Sequence, residues 1–313
     1  MKRKFLFIVN PASRGGESKA HWEDVFPIIE ASGLLFDYKY TEAPEDATKL
    51  ARKARTSGEY DVVISFGGDG TANEVVNGLL TGDSSERIPA FTIFPSGTGS
   101  DTVRTLGITK DISDFLKRLE VGNTEEIDVG VVNYKKVEKE SEVEQRYFLN
   151  ACDLGIGATV ANVVNGMNRE DSKKSGKGKY FRSIMDQVFK FKAFDAVVEQ
   201  NTEIFPLKKT VIVAVCNGMF FGGGVKASPI SKMNDGILEL VATKNASKLN
   251  LLRIVSKVYT GSHVGHPKVQ FQRSERFRVQ VEKPQLLETD GEVVGEVLEA
   301  TFTVETGRLR VVC

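Results

Sequence analysis

Three short polar turns, each rich in glycine, constrain this chain more than any other feature. They read Asn10-Pro11-Ala12-Ser13-Arg14-Gly15-Gly16, Gly67-Gly68-Asp69-Gly70-Thr71 and Pro95-Ser96-Gly97-Thr98-Gly99-Ser100-Asp101. Each follows a short apolar run (residues 4–9, 62–66 and 90–94) suited to a buried strand. Residues 36–40 read as a further strand. Helical patterns cover 18–32, where Trp22, Val25, Phe26 and Ile29 share one face, then 45–57, 71–80 and 111–121, with Gly58, Gly82 and Gly122 near their ends. Strands separated by helices imply parallel βαβ units with helices on both faces. Ligands of such sheets bind at the carboxyl ends of the strands, which is where all three turns fall.

The pattern changes near Glu126. Strands are expected at 127–133, 147–153, 210–216, 237–243, 276–281, 298–305 and 309–312, interrupted by helices at 180–198 and 247–259. Polar residues 135–145 read as a hairpin tip. A chain of 313 residues exceeds one ordinary core, so two domains are expected. The first, 1–125, is expected to be α/β and carries all three turns. The second, 126–313, is expected to be mostly antiparallel β with helical insertions. Whether the terminal strands pack back on the first domain stays open at this stage.

Composition excludes several classes. Net charge is zero, so no global field favours nucleic acid. The basic Met1-Lys2-Arg3-Lys4 start precedes an apolar run that stops at Asn10-Pro11, too short for a secretory signal. No apolar stretch approaches the ~20 residues a membrane span needs. Cys152, Cys216 and Cys313 are odd in number and widely spaced, as in a reduced, cytosolic protein without a zinc site. They read as small apolar fillers. Asn245-Ala246-Ser247 matches a glycosylation triplet by chance in such a compartment. His21, His263 and His266 show no ligand spacing, and His263 and His266, which follow a helix ended near Gly261, read as structural.

Small residues let main-chain N–H groups approach a ligand, and a helix start favours an anion. Residues 10–16 have this form, and Arg14 could pair with phosphate. The second turn is sharper. Its glycines surround Asp69, which suits nucleotide phosphates with a metal ion, and Asn73 and Glu74 fall in the first turn of a helix starting at Thr71. Asp69 is expected to serve phosphate and metal rather than packing. The P-loop pattern, the dinucleotide GxGxxG and the protein-kinase motifs are all absent.

With these residues in hand, the chain resembles the diacylglycerol kinase catalytic family, whose members include sphingosine and ceramide kinases. Its first domain is related to phosphofructokinases and NAD kinases. The resemblance extends to Gly155-Ile156-Gly157-Ala158, Asn217, Gly222-Gly223-Gly224, Pro229, Asp235-Gly236 and Asp290-Gly291-Glu292, as in soluble bacterial lipid kinases. Ser100-Asp101 stands where the family usually has Asn-Asp. The resemblance implies that Asn10, Pro11, Ala12, Ser13, Arg14, Thr41, Gly67, Gly68, Asp69, Gly70, Thr71, Ala72, Asn73 and Thr98 bind ATP. It implies that Asp69 handles magnesium, and that Asp235, with main-chain oxygens of Lys232 and Ile237, holds a second, structural magnesium. Asp290 and Glu292 would sit at the acceptor hydroxyl, one as base and one as its partner.

Asp290-Gly291-Glu292 lies between two expected strands and so forms a tight turn. Two neighbouring carboxylates can raise each other's pKa, which suits a base. Arg169, Lys173, Lys174, Lys177, Lys179, Arg182, Lys190 and Lys192 stand against Glu170, Asp171 and Asp186, a local excess of 8 − 3 = +5. Such a cluster could hold the chain on an anionic inner-membrane surface. The expected protein is an ATP- and magnesium-dependent kinase of a lipid hydroxyl, diacylglycerol foremost, cytoplasmic and peripheral to the membrane, with an active site in a cleft between the domains. A homodimer is left open. An NAD- or sugar-kinase centred on Asp69, and a nucleotide-sensing regulator without turnover, are the alternatives. Retention of both Asp290 and Glu292 speaks against the regulator.

Overall fold

The computed structural model describes residues 3–82, 86–96, 100–139, 141–166, 190–245 and 247–313. It forms two compact units: residues 1–129 with 305–313, and residues 130–304.

The first unit is built on a parallel sheet. β1 (Lys4–Val9) lies between β2 (Leu35–Tyr40) and β3 (Val62–Gly67), and β3 pairs with β4 (Ala90–Pro95). The end of β14 (Glu292–Val312) adds a parallel contact through Val311 and Phe91. β1, β3 and β4 are buried almost throughout, as continuous apolar runs in a covered parallel sheet require. α1 (Glu17–Ala31) presents Trp22, Val25 and Ile29 to this core, at helical spacing. Trp22 meets Phe66 edge-on at 5.0 Å, and Phe66 stacks on Phe94 at 5.2 Å.

α2 (Asp46–Ser57) buries the small residues Ala47, Ala51 and Ala54 toward its neighbours, and with them Arg55, whose guanidinium donates to Leu79 O at 2.8 Å. That lets α3 (Asp69–Leu80) come very close: a Cβ on Gly78 would lie 2.3 Å from the Thr48 carbonyl oxygen. α3 begins at Asp69, two residues earlier than expected, because Gly68 rather than Gly70 is its extended first flank. Asn73 and Glu74 therefore stand in its second turn. Glu74 then accepts the N–H groups of Glu45 and Ala47 at the start of α2. α4 (Asp101–Leu106) was not foreseen. α5 (Ile112–Val121) is capped by the Asp111 side chain and ends at Gly122, as its sequence requires.

The second unit is antiparallel. Its strands are the latter part of β5 (Thr124–Lys136), β6 (Glu144–Phe148), β7 (Ala151–Gly155), β8 (Phe194–Gln200), β9 (Glu203–Thr210), β10 (Ile212–Cys216), β11 (Leu238–Thr243), β12 (Val269–Ser274), β13 (Arg276–Thr289) and most of β14. One path runs β12-β11-β10-β7-β13-β14; β8 pairs with β13 and β9, and β5 with β6. β13 changes partner midway, from β8 at residues 277–281 to β7 at 287–289, across an irregularity between Gln280 and Gln285. α6 (Ile156–Gly166) and α7 (Lys248–Val258) are its helices.

Several expectations for this half are corrected. The end of the expected helix 180–198 is strand β8, where Phe194, Ala196 and Val198 alternate inward with period two. Residues 180–189 lie outside the described residues. β9 and β12 were missed because polar and charged residues break up their apolar runs: Glu203, Lys208 and Lys209 in β9, and Gln270, Gln272 and Arg273 in β12. The two terminal strands are one, β14. α6 was missed because Gly155 and Gly157 mask its start. The hairpin tip at 135–145 is present, with a 3₁₀ turn at Val137–Lys139. Among the described residues no helix is long and apolar enough to cross a membrane.

Gly78→Ala should overpack the contact with Thr48 and lower stability by about 1–3 kcal/mol, which thermal unfolding would read directly.

Candidate active site

Turns at the carboxyl ends of β1, β3 and β4 are tied into one edge of the first sheet. Asn10 anchors the first, its N–H donating to Phe66 O at 3.0 Å, its Oδ1 accepting from Ala12 N at 3.0 Å and its Nδ2 donating to Thr71 Oγ1 at 3.0 Å. Thr71 can reach back because Gly67 has no side chain; a Cβ there would lie 2.6 Å from Thr71 Oγ1. Arg14, Gly15 and Gly16 all have positive φ, and nothing lies within 4 Å of a Cβ built on either glycine. This backbone is open to a ligand. Arg14 reaches Glu17 at 3.4 Å. Thr41 N donates to Val9 O at 2.9 Å, which places it beside Asn10.

Asp69 does something the sequence did not disclose. Its carboxylate accepts the main-chain N–H of Asp101 at 3.1 Å and of Thr102 at 3.0 Å, the first residues of α4. It thus binds the second turn to the third and satisfies donors a helix start leaves open. Packing is part of its work, contrary to expectation. Thr98 lies outside the described residues.

Beneath the turns runs a chain of hydroxyls and one imidazole. Ser13 Oγ bonds Ser18 Oγ, Ser18 Oγ lies 2.9 Å from Ser96 Oγ, and Ser96 Oγ lies 3.0 Å from His21 Nδ1. His21 packs on Phe66 and Phe94 with ring centroids 5.4 and 5.6 Å away. Burial, then the Arg14 charge, hold its pKa below the ordinary imidazole range. His21 thus supports the turns from below through Ser96. His263 is buried with Nε2 donating to Ala227 O at 2.9 Å, and His266 Nδ1 accepts from Lys268 N.

In the second unit, Asp290 and Gly291 both have positive φ, at 47° and 94°, and join β13 to β14 as a two-residue turn. The Asp290 carboxylate is 8% exposed and accepts three main-chain N–H bonds: Leu149 at 2.6 Å, Asn150 at 2.8 Å and Ala151 at 3.1 Å. Glu292, next in the turn, is half-buried at the start of β14. Directly behind the turn lie two carboxyls that sequence reasoning missed, Asp153 on β7 and Glu288 on β13, both fully buried. An acidic residue in an apolar strand was the available signal.

Asp235 accepts Ile237 N–H at 3.2 Å and Arg273 Nη2 at 2.8 Å, while Arg273 Nε holds Glu239 at 3.0 Å. Lys232 is exposed in the same turn. Among the described residues no group of three or more His, Cys, Asp or Glu side chains is arranged to hold a metal. At the first site Asp69 is the carboxylate of the second turn, and its oxygens accept the Asp101 and Thr102 N–H groups. At the second, the Arg273 guanidinium already supplies the positive charge, and a magnesium would have to displace it.

Residues 4–132 match the family described as diacylglycerol kinase catalytic domain, and residues 150–313 match the YegS C-terminal NAD kinase beta sandwich-like domain. The chain belongs to the diacylglycerol kinase catalytic family, and it is a kinase that transfers a phosphoryl group to an alcohol. It is 28% identical over 299 residues to a diacylglycerol kinase of Bacillus subtilis, covering 94% of this chain and 91% of that one. In fold it is similar to a diacylglycerol kinase structure from Bacillus anthracis, with TM-score 0.68, 20% identity and coverage of 99% and 96%. It is also similar in fold to yeast NADH kinase complexed with NADH, with TM-score 0.53, 11% identity and coverage of 99% and 83%.

Asp69→Ala should leave two N–H groups of α4 unmet and cost about 1–2 kcal/mol of stability, the usual loss at a helix start. Nucleotide binding should fall with it. Calorimetric titration with ATP beside thermal unfolding would check both.

Proposed function

We propose that the chain is an ATP-dependent lipid kinase that converts diacylglycerol to phosphatidic acid. The carrying observation is the set of three turns joined by Asn10–Thr71 and Asp69–Asp101/Thr102 at one sheet edge. Open backbone at Gly15 and Gly16 and the start of α3 suit a triphosphate. Asn10 to Arg14, Thr41, Gly67 to Asn73 and Thr98 bind ATP in this reading. Magnesium, arriving with the nucleotide, supplies charge neutralisation at the transferring phosphoryl group. The diacylglycerol kinases among its relatives, which it matches over nearly their whole length, support the lipid assignment.

The acceptor hydroxyl lies at Asp290 and Glu292. Phosphoryl transfer asks mainly for positioning, and one carboxylate receives the proton. Asp290 is fixed by its three main-chain donors, which suits it to orient, and in this reading Glu292 is the carboxylate that receives the proton. The lipid would be met at a membrane surface, with the basic residues 169–192 as the attracting charge. Of these only Lys190 and Lys192 lie within the described residues, and both are exposed.

Labelled ATP with magnesium should put label into phosphatidic acid when diacylglycerol micelles are supplied, and none into NADP when NAD is supplied. Label in NADP alone would replace this reading with the NAD-kinase one. A wider lipid panel read by mass spectrometry fixes the acceptor.

Glu292→Gln should lower kcat by about 10²–10⁴-fold with ATP affinity unchanged. Asp290→Asn is not a quiet substitution, since an amide nitrogen would face a main-chain N–H. It should cost about 2–3 kcal/mol of stability as well as turnover, so the two variants separate on thermal unfolding.

A further inference from the structure

Asp153 and Glu288 stand directly opposite one another on paired antiparallel strands, and neither side chain is exposed. Their oxygens divide into two sets. Glu288 Oε2 accepts the Gly291 N–H at 2.5 Å, and Asp153 Oδ2 accepts the Ala158 N–H at 3.2 Å in the first turn of α6. Glu288 Oε1 and Asp153 Oδ1 are buried without a donor. Two anions cannot share a dry site with two unmet oxygens; one proton between them satisfies both. α6 also returns to the same turn, through Asn165 Nδ2 donating to Gly291 O at 3.0 Å.

We propose that Glu288 is a positioning residue for the acceptor turn: it shares one proton with Asp153 while gripping the Gly291 N–H, so that this proton ties the turn carrying Asp290 and Glu292 to the first turn of α6. This rests on the lipid-kinase reading for its catalytic consequence alone. The proton resides on Glu288. Asp153 is the better anion because the N–H groups of Gly157 and Ala158, at the start of α6, stabilise its charge. Burial and the Asp153 charge push Glu288 well above the usual carboxylate range, and burial pushes Asp153 up to about 6. The other titratable groups facing the pair are Asp290, which raises Glu288 further, and the buried thiols Cys152 and Cys216. Arg146 is the cation acting at Cys152. α6 brings none, for residues 156–166 carry no ionisable side chain.

The sign of the pH dependence follows. Both groups hold protons more tightly when folded than when unfolded, where carboxylates titrate near ~4. Their contribution is complete below that value and is lost as pH rises through about 6 for Asp153 and further up for Glu288. On the alkaline side the fraction of molecules keeping the shared proton falls about tenfold per pH unit.

The experiment compares wild type with Glu288→Gln. The glutamine oxygen can accept from Gly291 and its amide can donate to Asp153 Oδ1, so the variant carries the link without titrating. Unfolding midpoints measured from pH 5 to 10 should fall on the alkaline side in wild type and more shallowly in E288Q. Lipid turnover should follow: an alkaline limb in wild-type kcat, flattened in E288Q, with KM for ATP unmoved in both. Glu288→Leu, which can neither donate nor accept, should lower kcat for lipid without changing ATP binding by calorimetry. Identical pH slopes in wild type and E288Q overturn the shared proton. So does an E288Q protein that does not fold, because its amide meets both partners. If E288Q flattens the unfolding slope but leaves the alkaline limb of kcat as in wild type, the positioning role is overturned. A protein inactive on every lipid, with the slope difference intact, sinks the lipid-kinase reading and leaves the shared proton standing.

Discussion

Main-chain N–H groups at sheet ends need acceptors, and in this protein carboxylates meet that need at both candidate loci. Asp69 takes two N–H groups from the start of α4, and Asp290 takes three from residues 149–151. A carboxylate is the strongest acceptor a side chain offers, and bonds to it exceed those to neutral groups by roughly twofold. Each therefore fixes two separate chain segments with one side chain. The Gly-rich turns have few side chains of their own, so these bonds stand in for packing.

That arrangement joins folding to chemistry. A turn that approaches a phosphate closely must be small, and a turn built of small residues is poorly held. Here Gly67 makes room for Thr71, Thr71 holds Asn10, and Asn10 holds Ala12. The Ser13, Ser18, Ser96 and His21 chain supports the same edge from below. Rigid support with an open face is what anion recognition asks for. The second unit solves the matching problem with acid rather than hydroxyl: Glu288 and Asp153 lie behind the Asp-Gly turn, where an apolar residue could pack but could not hold Gly291.

Much of this was legible in the sequence because it is local. The three turns, the strand-helix alternation of the first unit, the Asp111 cap and the Gly122 stop all depend on neighbours within a few residues. The Asp290-Gly291 turn was legible for the same reason. The second unit was read less well. β8 was taken for the end of a helix, and β9, β12 and α6 were missed, because short strands broken by polar residues and a glycine-masked helix start give weak periodicity. Asp69 was read as a ligand-handling residue only; its bonds to Asp101 and Thr102 join residues about thirty apart, beyond any local rule.

The sequence by itself determined the family, the order of turns and helices in the first unit, and the polar, Gly-rich character of the turns at its strand ends. Local backbone preference and glycine's freedom at positive φ suffice for that. Only the tertiary structure decided which carboxylates meet. Asp153 and Glu288 become neighbours through the register of β7 against β13, after β13 has changed partners. Register depends on which faces of distant strands are buried together, and a one-residue slip of β13 against β7 would put the two acids on opposite faces.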